Sequence, residues 1–297
     1  MKIYNLGSLN IDYVYSVPHF VRPGETLDSD KREVFPGGKG LNQSVALSKA
    51  GANVIHGGFV GDDGELLLET LKNAGVDTGR IAKASTASGH TIIQVDATGQ
   101  NCIILFGGAN RCFTPEYIED VLGDAEEGDI LLLQNEVNAL TEIFRIAHQK
   151  KMQIAFNPSP YDKSILDLPL QYVSYWLCNE IEGEELTGER DPEKIIENLS
   201  ARYPDSSIVL TLGKNGCKYK SKDTSCYQPI FKVSAVDTTA AGDTFTGYFL
   251  SSLTKGIVPE EALKIASAAS AIAVSRQGAA SSIPTPEEVS AFLAEHA

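Results

Sequence analysis

The chain has 297 residues, 42% hydrophobic and 22% charged, with a formal net charge of -14. That length holds one large α/β domain or two modest ones, and the ordinary composition argues against a disordered chain. So acidic a surface repels nucleic acid and anionic lipid, which argues against both as partners but not against a locally positive site for a small anion.

Residues 2–7 read as a buried strand that ends in the small, polar run Gly7-Ser8-Leu9-Asn10-Ile11-Asp12. Residues 13–17 and 31–35 read as short strands around Pro18, Pro23-Gly24-Glu25 and Asp28-Ser29-Asp30. Pro36-Gly37-Gly38-Lys39-Gly40 breaks the chain before a helix over 41–50, which Gly51 stops. A strand over 53–59, a helix over 64–73 and a hairpin over 91–96 and 101–106 follow, and Thr114-Pro115-Glu116 starts another helix. Strands and helices then alternate. Strands fall at 129–133, 153–156, 175–178 and 207–212, and helices at 139–150, 180–186 and 192–202. A hairpin over 216–228 precedes a helix from Gly242, where Phe245, Tyr248, Phe249 and Leu253 recur at helical spacing, and a long helix covers 260–275.

This alternation implies an α/β fold with a mostly parallel sheet covered on both faces. Such sheets bind ligands beyond the carboxyl ends of their strands. Asn10, Asp12, Gln134, Glu136, Asn157, Asn179, Glu182, Thr211 and Gly213 fall there. The early short strands and the 91–106 hairpin stand outside the alternation and form a small separate sheet, a lid built from about 10–36 and 88–107. With no internal repeat and no linker, residues 1–297 read as a single domain.

Five cysteines, an odd number without C-x-x-C spacing, argue against a disulfide framework or a zinc site and fit a reducing cytoplasm. Cys217 and Cys226 flank the 216–228 hairpin and read as free thiols. The apolar run at the N-terminus is too short for a signal peptide, and no run approaches the ~20 apolar residues of a membrane span. The expectation is a soluble cytoplasmic protein.

The stretch Val236 to Gly247 is a loop that becomes a helix N-terminus, where unpaired N–H groups and the helix dipole favour an anion. Ala240, Ala241 and Gly242 let a phosphate approach the backbone. Asp243, in the first turn, either caps the helix or is a base beside that cradle. Gly37-Gly38-Lys39-Gly40-Leu41-Asn42 matches neither the dinucleotide fingerprint nor the P-loop, so it is a tight turn or a binding loop. In it, Lys39 and Asn42 lie one helical turn apart. Asn10 and Asp12 share a face of an extended segment, or they bond their own turn. Asn179 and Glu182 have the spacing of a capping box. The five histidines show no ligand spacing.

In joint order and spacing these motifs resemble the ribokinase-like sugar-kinase superfamily, also called the phosphofructokinase B family. The resemblance also takes in Pro23-Gly24-Glu25-Thr26, Gly107-Gly108-Ala109-Asn110, Asn157-Pro158-Ser159-Pro160 and Ala273 to Ala279, and covers nearly the whole chain. It implies a three-layer sandwich and ATP-dependent phosphorylation of D-ribose to D-ribose 5-phosphate. Deoxyribose, a ketohexose or a nucleoside is the alternative substrate, and a silent sugar- or nucleotide-binding regulator the alternative class. By resemblance Asp243 is the general base, Ala240, Ala241 and Gly242 form the anion hole, and Asn10, Asp12, Gly38, Lys39, Asn42 and Glu136 bind the sugar. Asn179, Thr211 and Gly213 would lie along ATP, and Glu182 would order Mg²⁺ through water. Asp237, Thr239, Ala273, Arg276, Gly278 and Ser282 would hold K⁺ or another monovalent activator. A homodimer joined through the lid is also implied.

Overall fold

The structure is a computed structural model in which residues 1–296 are described. The first half contains β1 (Ile3–Leu6), β2 (Asn10–Ser16), β3 (Lys31–Gly37), α1 (Lys39–Lys49), β4 (Val54–Val60) and α2 (Glu65–Asn73). These are followed by β5 (Asp77–Lys83), β6 (Gly89–Val95), β7 (Asn101–Phe106), α3 (Pro115–Val121) and β8 (Ile130–Gln134). The second half continues with α4 (Leu140–Gln149), β9 (Gln153–Asn157), β10 (Val173–Asn179), α5 (Glu180–Thr187), α6 (Pro192–Arg202) and β11 (Ser207–Thr211). It closes with β12 (Cys217–Lys220), β13 (Ser225–Gln228), α7 (Ala241–Thr254), α8 (Pro259–Val274) and α9 (Pro286–Glu295).

Among the described residues these strands form a nine-stranded sheet, ordered β13-β12-β11-β10-β9-β8-β1-β4-β5, and a four-stranded sheet, ordered β3-β2-β6-β7. The large sheet is parallel except where β12 and β13 run antiparallel. Side chains alternate between its two faces, as pleating requires. Ile130 and Leu132 of β8 join one core with Leu47, Leu71, Phe249, Ala266 and Val289. Leu131 and Leu133 join the other with Ile118, Phe144, Leu186 and Leu199. The expected three-layer sandwich is therefore present. The chain leaves β1 towards β4 on one side and returns to β8 on the other, so the strand order reverses between β1 and β8 and a crevice opens beyond their carboxyl ends.

The expected small sheet is also present, and its strands extend further towards the crevice than the sequence patterning indicates. β2 starts at Asn10 because Asn10 pairs with Gly37 on one side and Gly89 on the other. Pro36 is tolerated because β3 is an edge strand, where a missing N–H breaks no ladder. Two elements lie outside the sequence expectation. β5 is a mixed-polarity edge strand without clean alternation, and α9 follows a complete capping box of Thr285 and Glu288. Cys217 and Cys226 lie on the paired strands β12 and β13, with Cys226 opposite Tyr219, and all five cysteines are free thiols. Among the described residues no helix is long and apolar enough to cross a membrane.

Candidate active site

The crevice is assembled from strand ends and two packed helices, α1 and α7. Gly40 brings α1 against β1, because a Cβ there would collide with the backbone of Gly7 and Ser8. The Gly40 N–H then donates to Ser8 Oγ (3.1 Å) and the Leu41 N–H to the Ser8 carbonyl (2.9 Å). Helix α7 is buried on all sides from Asp243 to Ser252, so its N-terminus is fixed from within the core.

Ala240, the residue before α7, has φ 58°, a left-handed conformation that turns the backbone sharply into the helix. Within this turn the Ala241 N–H donates to the Thr238 carbonyl at 3.3 Å, whereas the N–H groups of Gly242 and Asp243 have no acceptor among the described residues. A Cβ at Gly242 would meet nothing within 4 Å, and residues 240–243 line a cavity. This is an anion cradle of the kind a helix N-terminus provides.

Asp243 does not cap α7. Its carboxylate turns towards α1, where Oδ1 accepts from Gln43 Nε2 (2.9 Å) and Oδ2 from Asn42 Nδ2 (3.2 Å). It is 7% exposed. Lys39 opens α1 and shares with Asp243, Glu182 and residues 240–242 a cavity of about 220 Å³. Burial opposes the Lys39 charge, but the nearby carboxylates Asp243, Glu136 and Glu182 outweigh it and hold its pKa above the ordinary lysine value. None of the ion pairs among the described residues uses Lys39, so its ammonium is available to a ligand.

Glu136 accepts from Ser8 Oγ and from the Lys39 N–H (2.9 Å). Burial pushes its carboxyl up against those two bonds and the Lys39 charge. Asp12, on β2, lies over Gly37, where a Cβ would collide with its carboxylate, and accepts from Thr91 Oγ1 at 2.5 Å. Burial pushes the Asp12 carboxyl up to about 6; the Thr91 bond works against this and the Glu136 charge adds to it. Asn10 is buried with its Oδ1 accepting from Asn110 Nδ2 (2.7 Å). Gly38, with φ 91°, ends the turn between β3 and α1, beside the Asn10 backbone.

Asn179, Thr211 and Gly213 line a second cavity of about 680 Å³ that shares Ala241 and Gly242 with the first and ends in apolar walls that include Ile230, Phe231 and Val233. The Asn179–Glu182 capping box is complete, and it uses only Oε2 of Glu182. Behind the cradle, Asp237 accepts from the N–H groups of Thr239 (2.9 Å) and Gly278 (3.0 Å), while Val236 and Asp237 both donate to the Val274 carbonyl. These bonds lay the 236–239 and 273–282 segments side by side. Arg276 turns its guanidinium away to Glu288, and Ser282 Oγ donates to the Ala279 carbonyl (2.8 Å).

The proposed base, cradle, lysine and nucleotide-side residues thus converge, with Asp12 and Glu136 leading from them to the small sheet. Sequence reasoning gave no role to Gln43, Asn5 or Asn110, and it placed Gln134 as a polar strand end and Asn157 as a strand end and motif residue without a role. The available signal was a polar side chain inside an otherwise apolar element, such as Asn5 in β1.

An oriented, buried carboxylate beside a helix-terminal anion cradle, opening onto a second cavity at the switch point of a parallel sheet, defines a phosphotransferase-type site. The profile of the pfkB family carbohydrate kinases matches residues 2–286, and the chain belongs to that family. It is similar to the ribokinase of Haemophilus influenzae, with 36% identity over 98% of both chains. The crystal structure of the Thermotoga maritima ribokinase resembles it with a TM-score of 0.88 and 39% identity, covering 99% of each chain. An Arabidopsis thaliana ribokinase complexed with ribose and ATP resembles it with a TM-score of 0.89 and 26% identity over 98% of each chain.

Proposed function

We propose that the chain transfers the γ-phosphoryl group of ATP to the 5-hydroxyl of D-ribose, giving D-ribose 5-phosphate and ADP. The observation that carries this reading is Asp243, a buried carboxylate with both oxygens oriented by α1 amides, immediately after the free Gly242 N–H. Asp243 accepts the hydroxyl proton as the sugar oxygen attacks phosphorus. The backbone of Ala240, Ala241 and Gly242 stabilises charge on the phosphoryl group in transfer. Asn10, Asp12, Gly38, Lys39, Asn42 and Glu136 hold the sugar, and Asn179, Thr211 and Gly213 lie along the nucleotide. The ribose and ATP in the Arabidopsis relative support this pair of ligands.

Magnesium, when bound, neutralises phosphate charge, and Glu182 fits an indirect role through water because Oε1 stays outside the capping box. A monovalent cation, potassium, fits behind the cradle, where Asp237, Thr239, Ala273, Arg276, Gly278 and Ser282 offer mainly backbone oxygen. Burial works against the Asp237 charge, but the hydrogen bonds from Thr239 and Gly278 outweigh it and hold the carboxyl below its ordinary value, which suits a cation neighbour. The small sheet is the lid: β2 carries Asn10 and Asp12, so lid closure and sugar contact are coupled and water is excluded from the phosphoryl group. The lid also joins two subunits. Five free thiols suit a reducing cytoplasm.

The test is ATP turnover across pentoses and hexoses, with and without potassium. Ribose is expected to be turned over, faster with potassium, and 2-deoxyribose to be poorer because buried polar groups would lose a partner. No turnover with any sugar overturns the reading, and equal kcat/KM for 2-deoxyribose and ribose removes ribose as the assignment. Asp243→Asn is expected to lower kcat by about 10²–10⁴-fold with ribose affinity hardly changed. Retention of kcat in that variant removes Asp243 as the base.

A further inference from the structure

Behind Asp243 runs a buried chain of polar side chains that reaches the first cavity only through Asp243 and Asn157. Gln43 Nε2 donates to Asp243 Oδ1 (2.9 Å) and to Asn157 Oδ1 (3.1 Å). Gln43 Oε1 accepts from Gln134 Nε2 (2.6 Å), which also donates to Asn5 Oδ1 (3.0 Å). Asn5 Nδ2 donates to the Gly40 carbonyl and to Ser44 Oγ, both at 2.8 Å, and Ser44 Oγ meets His56 Nδ1 at 2.8 Å. Gln43, Ser44, Asn5 and His56 are all 0% exposed.

From Asn5 to Asp243 every bond in this chain has a forced direction. Burial holds His56, at the far end of the chain, down to about 4, so the ring is neutral. The Gly40 carbonyl can only accept, so the Asn5 NH₂ points at it and at Ser44 Oγ, which fixes the Asn5 carbonyl towards Gln134 and the Gln134 NH₂ towards Gln43. The Gln43 carbonyl is thereby occupied, and its NH₂ can only point at Asp243 and Asn157. A flipped Gln43 would set its carbonyl against a carboxylate.

We propose that Gln43 is a positioning residue for phosphoryl transfer, clamped by the Gln134–Asn5–Ser44–His56 chain so that the Asp243 carboxylate keeps one orientation while it takes the sugar proton. The proposal rests on the kinase reading above. With Gln43 on Oδ1 and Asn42 on Oδ2, the carboxylate plane is pinned at both ends, and the remaining lone pairs face the crevice. Small losses of alignment at a reacting group cost rate steeply, of the order of 10²-fold per ångström. Gln43 touches no ligand cavity, so its effect falls on kcat and not on sugar binding.

The experiment is a double-mutant cycle in the full-length chain with ribose and ATP, reading kcat, KM and ribose binding by calorimetry. Gln43→Met keeps length without the donor and is expected to lower kcat about 10–100-fold, with ribose affinity within about threefold. In an Asp243→Asn background the same change is expected to alter kcat less than about threefold, because its route to the chemistry is already gone. Gln134→Met, one link further away, keeps the Gln43–Asp243 bond and serves if Gln43→Met does not fold; a kcat loss of about 3–10-fold that vanishes in the Asp243→Asn background is expected. Equal losses with and without Asp243, or a rise in KM without a fall in kcat, overturn the proposal and leave the kinase reading intact. A wild-type chain that turns over no sugar overturns both.

Discussion

Asp12 is the residue at which burial and function most clearly oppose each other. Its carboxyl is pushed up to about 6 from the ordinary 3.8 by burial, and in the proposed sugar-binding role the ionised form is the stronger acceptor for hydroxyls. Ribose KM is therefore expected to rise as pH falls through about 6, two units above where an ordinary aspartate would respond. Steady-state kinetics across pH 5–8 check this, and Asp12→Asn should remove that limb. Linkage gives the opposite sign for stability. A folded pKa above the unfolded one stabilises the fold below about 4, and that contribution is lost as pH rises through 6. Asp12→Asn is thus expected to melt at or above the wild-type temperature at pH 8 without sugar, read by thermal denaturation. Charged residues such as Asp12, Lys39, Glu136 and Asp243 were legible because a charge at a strand end or helix start needs a reason. Gln43 was not. Its partner is 200 positions away, and an uncharged amide inside a helix leaves no trace in periodicity.

At the scale of elements, the turn into α7 decides whether the cradle exists. Ala240 holds a left-handed backbone, which costs an L-residue about 1–2 kcal/mol. A β-branched side chain tolerates it still less. Ala240→Val is expected to destabilise the fold by a further 1 kcal/mol or more, on the order of the same left-handed penalty, and to lower kcat as the Gly242 and Asp243 N–H groups lose their aim. Ala240→Gly should leave the melting temperature nearly unchanged, because relief of strain is offset by the greater entropy of an unfolded glycine. Denaturant melts of the two variants separate these outcomes. The strong elements were legible from apolar runs and caps, including the Asn179–Glu182 box, which the structure forms in full. The edge strand β5 was not, since its Asp77–Lys83 sequence mixes polarity without a period. The Thr285-Pro286-Glu287-Glu288 start of α9 carried a readable capping signal, so that omission was one of reading and not of physics. Asp243 shows the reverse case: a carboxylate in a first turn looks like a cap, and only the packing of α7 on α1 turns it away.

For the molecule as a whole, the two sheets pose different solvation problems. Helices cover both faces of the large sheet, whereas β7 is exposed along its full length. Ile103, Ile104, Leu105 and Phe106 are 53%, 60%, 44% and 48% exposed. Ile104 and Phe106 share one face of the small sheet with Ile92 and Val34, whereas Ile103 and Leu105 share the opposite, Asp12-bearing face with Phe35. The apolar face made by Val34, Ile92, Ile104 and Phe106, on a chain with net charge -14, marks an interaction face more than a solvated one. β7 is also an edge strand, with unpaired N–H and C=O groups that a second strand could satisfy. A second copy of the chain presents the same apolar patch and the same open edge, so a two-fold arrangement buries both at once. Because β2 of that sheet bears Asn10 and Asp12, pairing would also hold the sugar-side residues in place. The expected outcome is a concentration-dependent dimer in sedimentation. Ile104→Lys should shift it towards monomer and raise ribose KM, while the melting of the large sheet stays nearly unchanged. A wild-type chain that sediments as a monomer at every concentration, with ribose KM unaffected by Ile104→Lys, would show that the lid acts alone and that its apolar face meets the sugar side of its own subunit instead.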